Sequence, residues 1–382
     1  MIIKNAKIPC GEGWRTVDFQ IRDGRFAEIS DIIAAGDTPA AIIDVCGKRV
    51  FPGFIDTHIH GVYGVSFDDP LCDLARASAF LAREGVTAFV PTVTASSGEV
   101  PPSLANIAAA KTITGAKICG IHMEGPFLSP QFHGAFDTKT LRLPDPDFLR
   151  SCAVASVGLL KIMTFAPELE GSAELLKAAR ELGVSLSIGH TAADFETAQA
   201  AINGGARRVT HLFNAMAPLH HRTASALTAA LTNDDVTCEI ICDFFHLHPE
   251  TVRLALKVKT AARLCAISDA MSCAGLEAGE YEFGGRAIIV DGGIARLADG
   301  TICGSCMTLR NGAKNLLEIG VTPAEVSEMC SLNPASALRI DKETGSLEVG
   351  KLADFAVFDE DFEVCQTVIG GEITFSREDP QC

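Results

Sequence analysis

His58 and His60 stand one residue apart at the end of an apolar run bounded by Pro52, Gly53 and Gly61. Such a run reads as a short buried strand, and residues i and i+2 of a strand point to the same face. Two imidazoles side by side at a strand's exit are placed to hold one metal ion. Two histidines satisfied within a turn are the plainer alternative, and the rest of the chain argues against it. Other short apolar runs end in the same residue types: Glu124, His190, His211, the pair Asp243 and His246, and Asp269. Imidazole and carboxylate ligands suit zinc, iron or another first-row divalent ion. Such an ion lowers the pKa of water to roughly 7 and polarises a carbonyl. A carboxylate not needed as a ligand can take the water's proton and return it to a leaving amine. Hydrolysis of an amide needs all three services.

The elements that must gather these residues show as an alternation. Apolar strands are expected at 53–56, 87–91, 117–121, 160–164, 184–188, 208–210, 237–241 and 263–267. Helix-like segments at 71–83, 102–112, 172–182, 194–203, 224–232 and 249–259 separate most of them. The third-to-fourth connection is longer and less regular. Strands alternating with helical crossovers in this way predict an α/β fold, a (β/α)8 TIM-like barrel with its active site at the C-terminal ends of the strands. A doubly wound sheet is the competing arrangement, and no glycine-rich phosphate fingerprint follows the first strand to support it.

Both chain ends look different from the middle. Residues 17–22 alternate apolar and polar, Asp23-Gly24 follows, and 25–29 resume the strand pattern, which is a hairpin signal. Residues 354–358, 367–369 and 372–375, the last two around Gly370-Gly371, repeat it. The two ends are therefore expected to meet in one small β-sandwich domain made of 1–50 and 346–382, with the barrel spanning 51–345. A further hairpin around Asp291-Gly292-Gly293 interrupts the pattern at 280–301.

Composition bounds the function from outside. A formal net charge of −16 argues against a nucleic-acid partner, which needs basic surface to neutralise phosphates. One well-placed Arg can still hold a small anion. No run of about 18 uncharged apolar residues points to a membrane span, and the first residues lack the long apolar stretch of a signal peptide. A cytoplasmic protein is expected. The 14 cysteines lie mostly in apolar runs and read as reduced core residues. Cys303-Gly304-Ser305-Cys306 is a lone C-x-x-C, a weak sign of zinc or redox chemistry. Several polar residues have structural readings. His122 suits a satisfied histidine behind the ligands, Asp56 a support for the metal shell or the turn, and Asp243 a structural role as readily as a contact. His133, His220, His221 and His248 read as loop or rim residues.

With these residues in view, the chain resembles the amidohydrolase superfamily, and within it the N-acetylglucosamine-6-phosphate deacetylase family. The resemblance covers nearly the whole chain. It rests on residues 52–60 and 350–354 at superfamily level. At family level it rests on His122-Met123-Glu124-Gly125-Pro126-Phe127, Gly189-His190-Thr191, residues 210–216, Pro218-Leu219-His220-His221-Arg222 and Ser268-Asp269-Ala270-Met271. It implies that Glu124, His190 and His211 hold the principal metal, and that His58 and His60 serve a second one bridged by Glu124. One or two divalent ions per subunit follow, zinc in first place and iron in second. It also implies Asp269 as proton acceptor and then donor, and His246 as a substrate contact that stabilises the oxyanion. Asn214, Ala215 and Arg222 match positions that bind the sugar phosphate, Arg222 across the interface of a homodimer or higher homo-oligomer. Ala135, Phe136, Asp243, Ile302, Cys303 and Gly304 fall at further substrate positions, which gives the C-x-x-C a plain explanation.

The implied reaction is metal-dependent hydrolysis of the N-acetyl amide of N-acetyl-D-glucosamine 6-phosphate, yielding glucosamine 6-phosphate and acetate. Three departures from the family pattern bear on the substrate. Thr223-Ala224-Ser225 stand where Glu-Pro-Gly usually follows the arginine. Phe136 replaces a histidine and cannot donate a hydrogen bond. Phe244 and Phe245 follow Asp243 where a glycine is common. Deacetylation of another N-acetylhexosamine, phosphorylated or not, or of another N-acyl compound is therefore the alternative. A non-catalytic sugar-binding paralogue is the more remote one, since the candidate ligands and base are intact.

Overall fold

The computed structural model describes residues 1–34, 41–95, 98–110, 113–283 and 285–377. Positions 35–40, 96–97, 111–112, 284 and 378–382 of the expected segments lie outside the described residues. The barrel strands are, in order, Phe54–Ile59, Val86–Thr94, Ile121–Glu124, Leu160–Phe165, Ser185–Ile188, Arg208–Val209, Thr237–Ile241 and Leu264–Ile267. Neighbours in this order pair in parallel. The ring closes at its C-terminal rim, where Asp269 N–H donates to His58 O (2.9 Å) and His60 N–H to Ala270 O (2.8 Å). Every residue of the first two strands is buried, as expected for parallel strands covered on both faces.

The crossover helices are amphipathic and capped. In Ser172–Leu182 the residues Leu175, Ala178 and Ala179 fall at helical spacing and are buried, while Gly183 ends the helix at φ 70°. Asp145 and Asp194 accept from the first free backbone N–H groups of Pro146–Ala155 and Phe195–Gly204. Strand three differs from expectation. Residues Lys117–Ile118 only lie against strand two, and the barrel strand proper starts at Ile121. The apolar run covers both pieces, so only the pairing separates them. Glu124 is consequently the last residue of its strand rather than the first beyond it.

The chain ends form one eight-stranded sheet. Its path runs Glu372–Ser376, Val364–Ile369, Phe355–Phe358, Arg49–Pro52, Ile2–Cys10, Gly13–Arg22, Arg25–Ser30, and Ile42–Asp44 also pairs with Ile2–Cys10. Phe26 and Phe355 lie four strands apart on this path, which a flat sheet would hold roughly 19 Å apart. Their rings are 6.0 Å apart, with Phe19 touching both. The sheet is therefore folded over its own apolar face, giving a sandwich with a core separate from that of the barrel.

The hairpin at 280–301 belongs to a four-stranded antiparallel sheet of Gly279–Phe283, Arg286–Asp291, Ile294–Leu297 and Ile302–Ser305. Its last strand bonds to the end of strand eight through Met271 N–H to Ser305 O, at 3.0 Å. At the opposite end of the barrel the helical run Pro323–Ser327, Glu328–Leu332 and Asn333–Ala337 lies under the strands. Asn333 donates to the carbonyls of Ala261 and Leu264, and Ser331 to that of Pro52. Among the described residues no helix is long and apolar enough to cross a membrane.

Candidate metal centre and active site

Six strand-exit side chains converge at the C-terminal rim. Glu124 Oε1 lies 3.0 Å from His211 Nε2 and 3.2 Å from His190 Nε2, and the two imidazole nitrogens are 3.1 Å apart. His58 Nε2, His60 Nε2 and Asp269 Oδ1 form a second group, with the carboxylate oxygen 3.4 Å from each nitrogen. Glu124 joins the groups, because its Oε2 is 3.0 Å from His60 Nε2. These are the two clusters among the described residues that could hold a metal ion. The spacing fits one: tetrahedral bonds of 2.0–2.1 Å put ligand atoms roughly 3.3 Å apart. The donor set is that of a first-row divalent metal.

The local backbone is bent to aim these groups. His190, His211 and Asp269 adopt φ of 48°, 28° and 49°, a left-handed conformation that non-glycine residues occupy at a cost of about 1–3 kcal/mol each. Each follows a strand end, and the sharp turn throws the side chain inward. Gly189, just before His190, is required by contact: a Cβ there would meet Thr210 Cβ at 2.7 Å and Thr164 Cγ2 at 2.9 Å.

Electrostatics also asks for a cation here. Burial alone would raise Glu124, yet the His58 charge and hydrogen bonds from His190 and His211 hold it well below the usual carboxylate range. Burial would lower His60, but bonds to Asp269 and Glu124 push it up to about 9. Asp269 is likewise held down, against burial, by His58 and His60. Two buried carboxylates thus draw positive charge, as protons or as metal.

A cavity of about 240 Å³ opens onto the cluster. His60, Glu124, His190, His211, His246 and Asp269 line it, together with Ala135, Phe136, Asn214, Ala215, Ile302, Cys303 and Gly304. Phe136 meets the His190 ring edge-on at 5.1 Å and offers the cavity no hydrogen-bonding group. Two expected substrate positions are not brought to this wall. Arg222 is exposed on the outer loop with Leu219, and its Nη1 donates to His221 Nε2 (2.7 Å). Asp243 is buried behind the wall, where its Oδ2 accepts from His246 Nδ1 (2.7 Å) and Ser305 Oγ (2.9 Å). Its partners leave it positioning His246. The C-x-x-C cysteines part ways: Cys303 is a wall residue, and Cys306 lies 3.7 Å from Cys273.

Other residues stand where their types suggest. Both ring nitrogens of His122 meet hydroxyls, Thr92 Oγ1 at 3.2 Å and Thr164 Oγ1 at 2.8 Å. Asp56 Oδ1 accepts from the backbone N–H groups of His58 and Ser268, tying strand one to strand eight. Burial pushes its carboxyl up to about 6.

Sequence reasoning missed Glu239 and Arg208. Glu239 Oε2 lies 3.0 Å from His58 Nδ1, and its Oε1 accepts from Arg208 Nη2 (2.8 Å), which also donates to Thr57 Oγ1 (3.0 Å). Such a carboxylate fixes the tautomer and orientation of a ligand imidazole. A lone charge inside the apolar stretch 237–241 was the available signal. Glu239→Gln is expected to weaken metal affinity about 10–100-fold. It should also lower stability by about 3–5 kcal/mol by leaving Arg208 unpaired. Metal titration and urea unfolding read the two effects, and wild-type values in both would remove this role.

The sequence pattern that defines the Amidohydrolase family matches residues 49–374. The chain belongs to the amidohydrolase family. It is 35% identical to the N-acetylglucosamine-6-phosphate deacetylase of Bacillus subtilis (strain 168), over 94% of this chain and 93% of that protein. It is 33% identical to the N-acetylgalactosamine-6-phosphate deacetylase of Escherichia coli O157:H7, over 97% and 98%. Among solved structures it is similar to a mutant N-acetyl-D-glucosamine-6-phosphate deacetylase of Mycobacterium smegmatis in complex with N-acetyl-D-glucosamine-6-phosphate. The TM-score is 0.89 at 30% identity, covering 98% of this chain and 99% of that one.

Proposed function

We propose that this amidohydrolase removes the acetyl group of N-acetyl-D-glucosamine 6-phosphate, giving glucosamine 6-phosphate and acetate. The observation that carries the reading is that Asp269 and His246 share the wall of a cavity also lined by Glu124, His190 and His211. Full-length relatives with this activity in their names support it. A divalent metal, zinc in first place and iron in second, held by Glu124, His190 and His211 and at a second position by His58 and His60, supplies acidified water and polarises the acetyl carbonyl.

Asp269 has the protein's part in proton transfer. Its carboxylate takes the proton of the attacking water. It then gives that proton to the departing amine. His246 faces the substrate as a donor. Burial alone would lower it, but the hydrogen bond and charge of Asp243 raise it and keep Nδ1 engaged, so Nε2–H is free for the developing oxyanion. Replacing His246 by Ala should lower kcat roughly 10²–10³-fold with metal content unchanged. An unaltered kcat would remove His246 from the mechanism.

Among the described residues no Lys or Arg lines the cavity, and Arg286 reaches only its edge, where it donates to the carbonyl of Ala135. A phosphate grip then calls for the partner subunit's Arg222, and we include a homodimer in the reading. The described residues of 1–50 and 346–382 are assigned to its β domain, with Phe51 and Pro52 completing the strand Arg49–Pro52, and those of the segment up to 345 to its catalytic barrel. A cytoplasmic location goes with the free thiols of the described cysteines.

A second reading keeps the chemistry and changes the sugar. It rests on Phe136 at the wall and on the comparable identity to the galactosamine-type relative. Acetate release should be measured side by side from the 6-phosphates of N-acetylglucosamine and N-acetylgalactosamine and from the free sugars. Preference for N-acetylglucosamine 6-phosphate is expected. Preference for the galacto compound selects the second reading, and equal rates on the free sugars overturn the phosphate requirement. Tight binding without acetate release would point to the non-catalytic alternative.

A further inference from the structure

At the N-terminal end of the barrel, opposite the metal-ligand cluster, lies a cavity of about 640 Å³. Its walls are the starts of strands four to seven, the ends of helices Ser172–Leu182 and Phe195–Gly204, and the segment after Asn333–Ala337. Five of its lining residues are basic, namely Lys161, Arg180, Arg207, Arg208 and Arg339, against the single carboxylate of Asp235. The chain as a whole has 48 acidic and 32 basic residues, so the cavity reverses the global balance. Among the described residues Lys161, Arg180, Arg207 and Arg339 form no ion pair of 4 Å or less with a carboxylate, whereas Arg208 pairs with Glu239. Arg180 and Arg207 each give donors to backbone carbonyls at helix ends, which leaves further donors of each planar guanidinium uncommitted.

Arg208 is the exception among the five. It is 2% exposed and lines the same cavity. Its Nη2 is committed to Thr57 and to Glu239, which offsets its charge, and Nε and Nη1, though without a protein acceptor, are closed off from solvent, so the donors available to a ligand are those of Lys161, Arg180, Arg207 and Arg339. Guanidinium groups suit phosphate oxygens through paired, charge-assisted hydrogen bonds. A volume of this size also accommodates more than the bare anion.

We propose that this cavity is a binding site for a phosphate monoester, with its dianion on the arginine cluster and its polar body beside Ser185 and Thr237. The site is separate from the catalytic cavity and independent of the substrate assigned there. Isothermal titration of the metal-loaded full-length protein with inorganic phosphate and with AMP tests it. The wild type is compared with Arg180→Ala/Arg339→Ala and Arg180→Lys/Arg339→Lys. Both residues are exposed, so the fold should survive, and unchanged thermal unfolding checks that. Because these arginines stand at the far end of the barrel, a change confined to their variants reports this cavity. The double alanine variant should bind roughly tenfold or more weakly, the lysine variant should recover part of the affinity, and deacetylation should be unaffected. AMP binding tighter than phosphate identifies an organic ester as the ligand, whereas equal affinities identify the phosphate group alone. Equal binding by wild type and the double alanine variant, or no binding of either probe, overturns the proposal.

Discussion

Asp269→Asn is expected to reduce kcat by roughly 10²–10⁴-fold, the range that general acid–base groups contribute. The amide keeps the size of the side chain, so the bend at φ 49° and the bond from Asp269 N–H to His58 O need not change. What is lost is the ability to accept a proton and return it. Glu124, His190 and His211 do not depend on Asp269 for their mutual spacing, so the principal metal should stay bound. Turnover measured beside metal content separates the two effects. A variant that retains metal and full turnover would remove Asp269 from proton transfer. One that loses both would recast it as a ligand.

Glu124→Gln should have the other large effect, and through a different route. Glu124 is the one residue that reaches both donor groups, with Oε1 on His190 and His211 and Oε2 on His60. Losing its charge should weaken metal binding by more than about a hundredfold, beyond what losing a partner one contact further out costs. Activity should fall with it and return only partly at high metal concentration. The observable is metal per chain after dialysis, with activity followed across a metal titration. Wild-type affinity in Glu124→Gln would mean that the histidines alone hold the ion.

Much of this arrangement was legible because barrels obey a positional rule. His58, His60, Glu124, His190, His211 and Asp269 each follow or end a short apolar run, and the fold puts such positions on one rim. The hairpin about Asp291-Gly292-Gly293 was legible as well, since both glycines take the positive φ that a tight turn requires (57° and 83°). Less was visible where an apolar run is longer than its strand. Residues 117–121 read as one strand, and the chain instead divides them at Gly120 between an edge pairing and the barrel.

By itself the sequence determined the strand–helix alternation, the β character of both ends and the residue types at the strand exits. These are local properties, set by side-chain period and turn chemistry within a few residues. Tertiary structure alone decided the contacts between distant positions. Glu239 reaches His58 across 181 residues and Ser305 reaches Asp243 across 62, and nothing in the neighbouring sequence marks either pair. It also decided that Asp243 stands behind His246, that Arg222 lies off the cavity wall of its own chain, and that five basic residues share a pocket at the far end of the barrel. Register, barrel closure and the folding over of the terminal sheet set these distances, and each is fixed by packing of the whole chain.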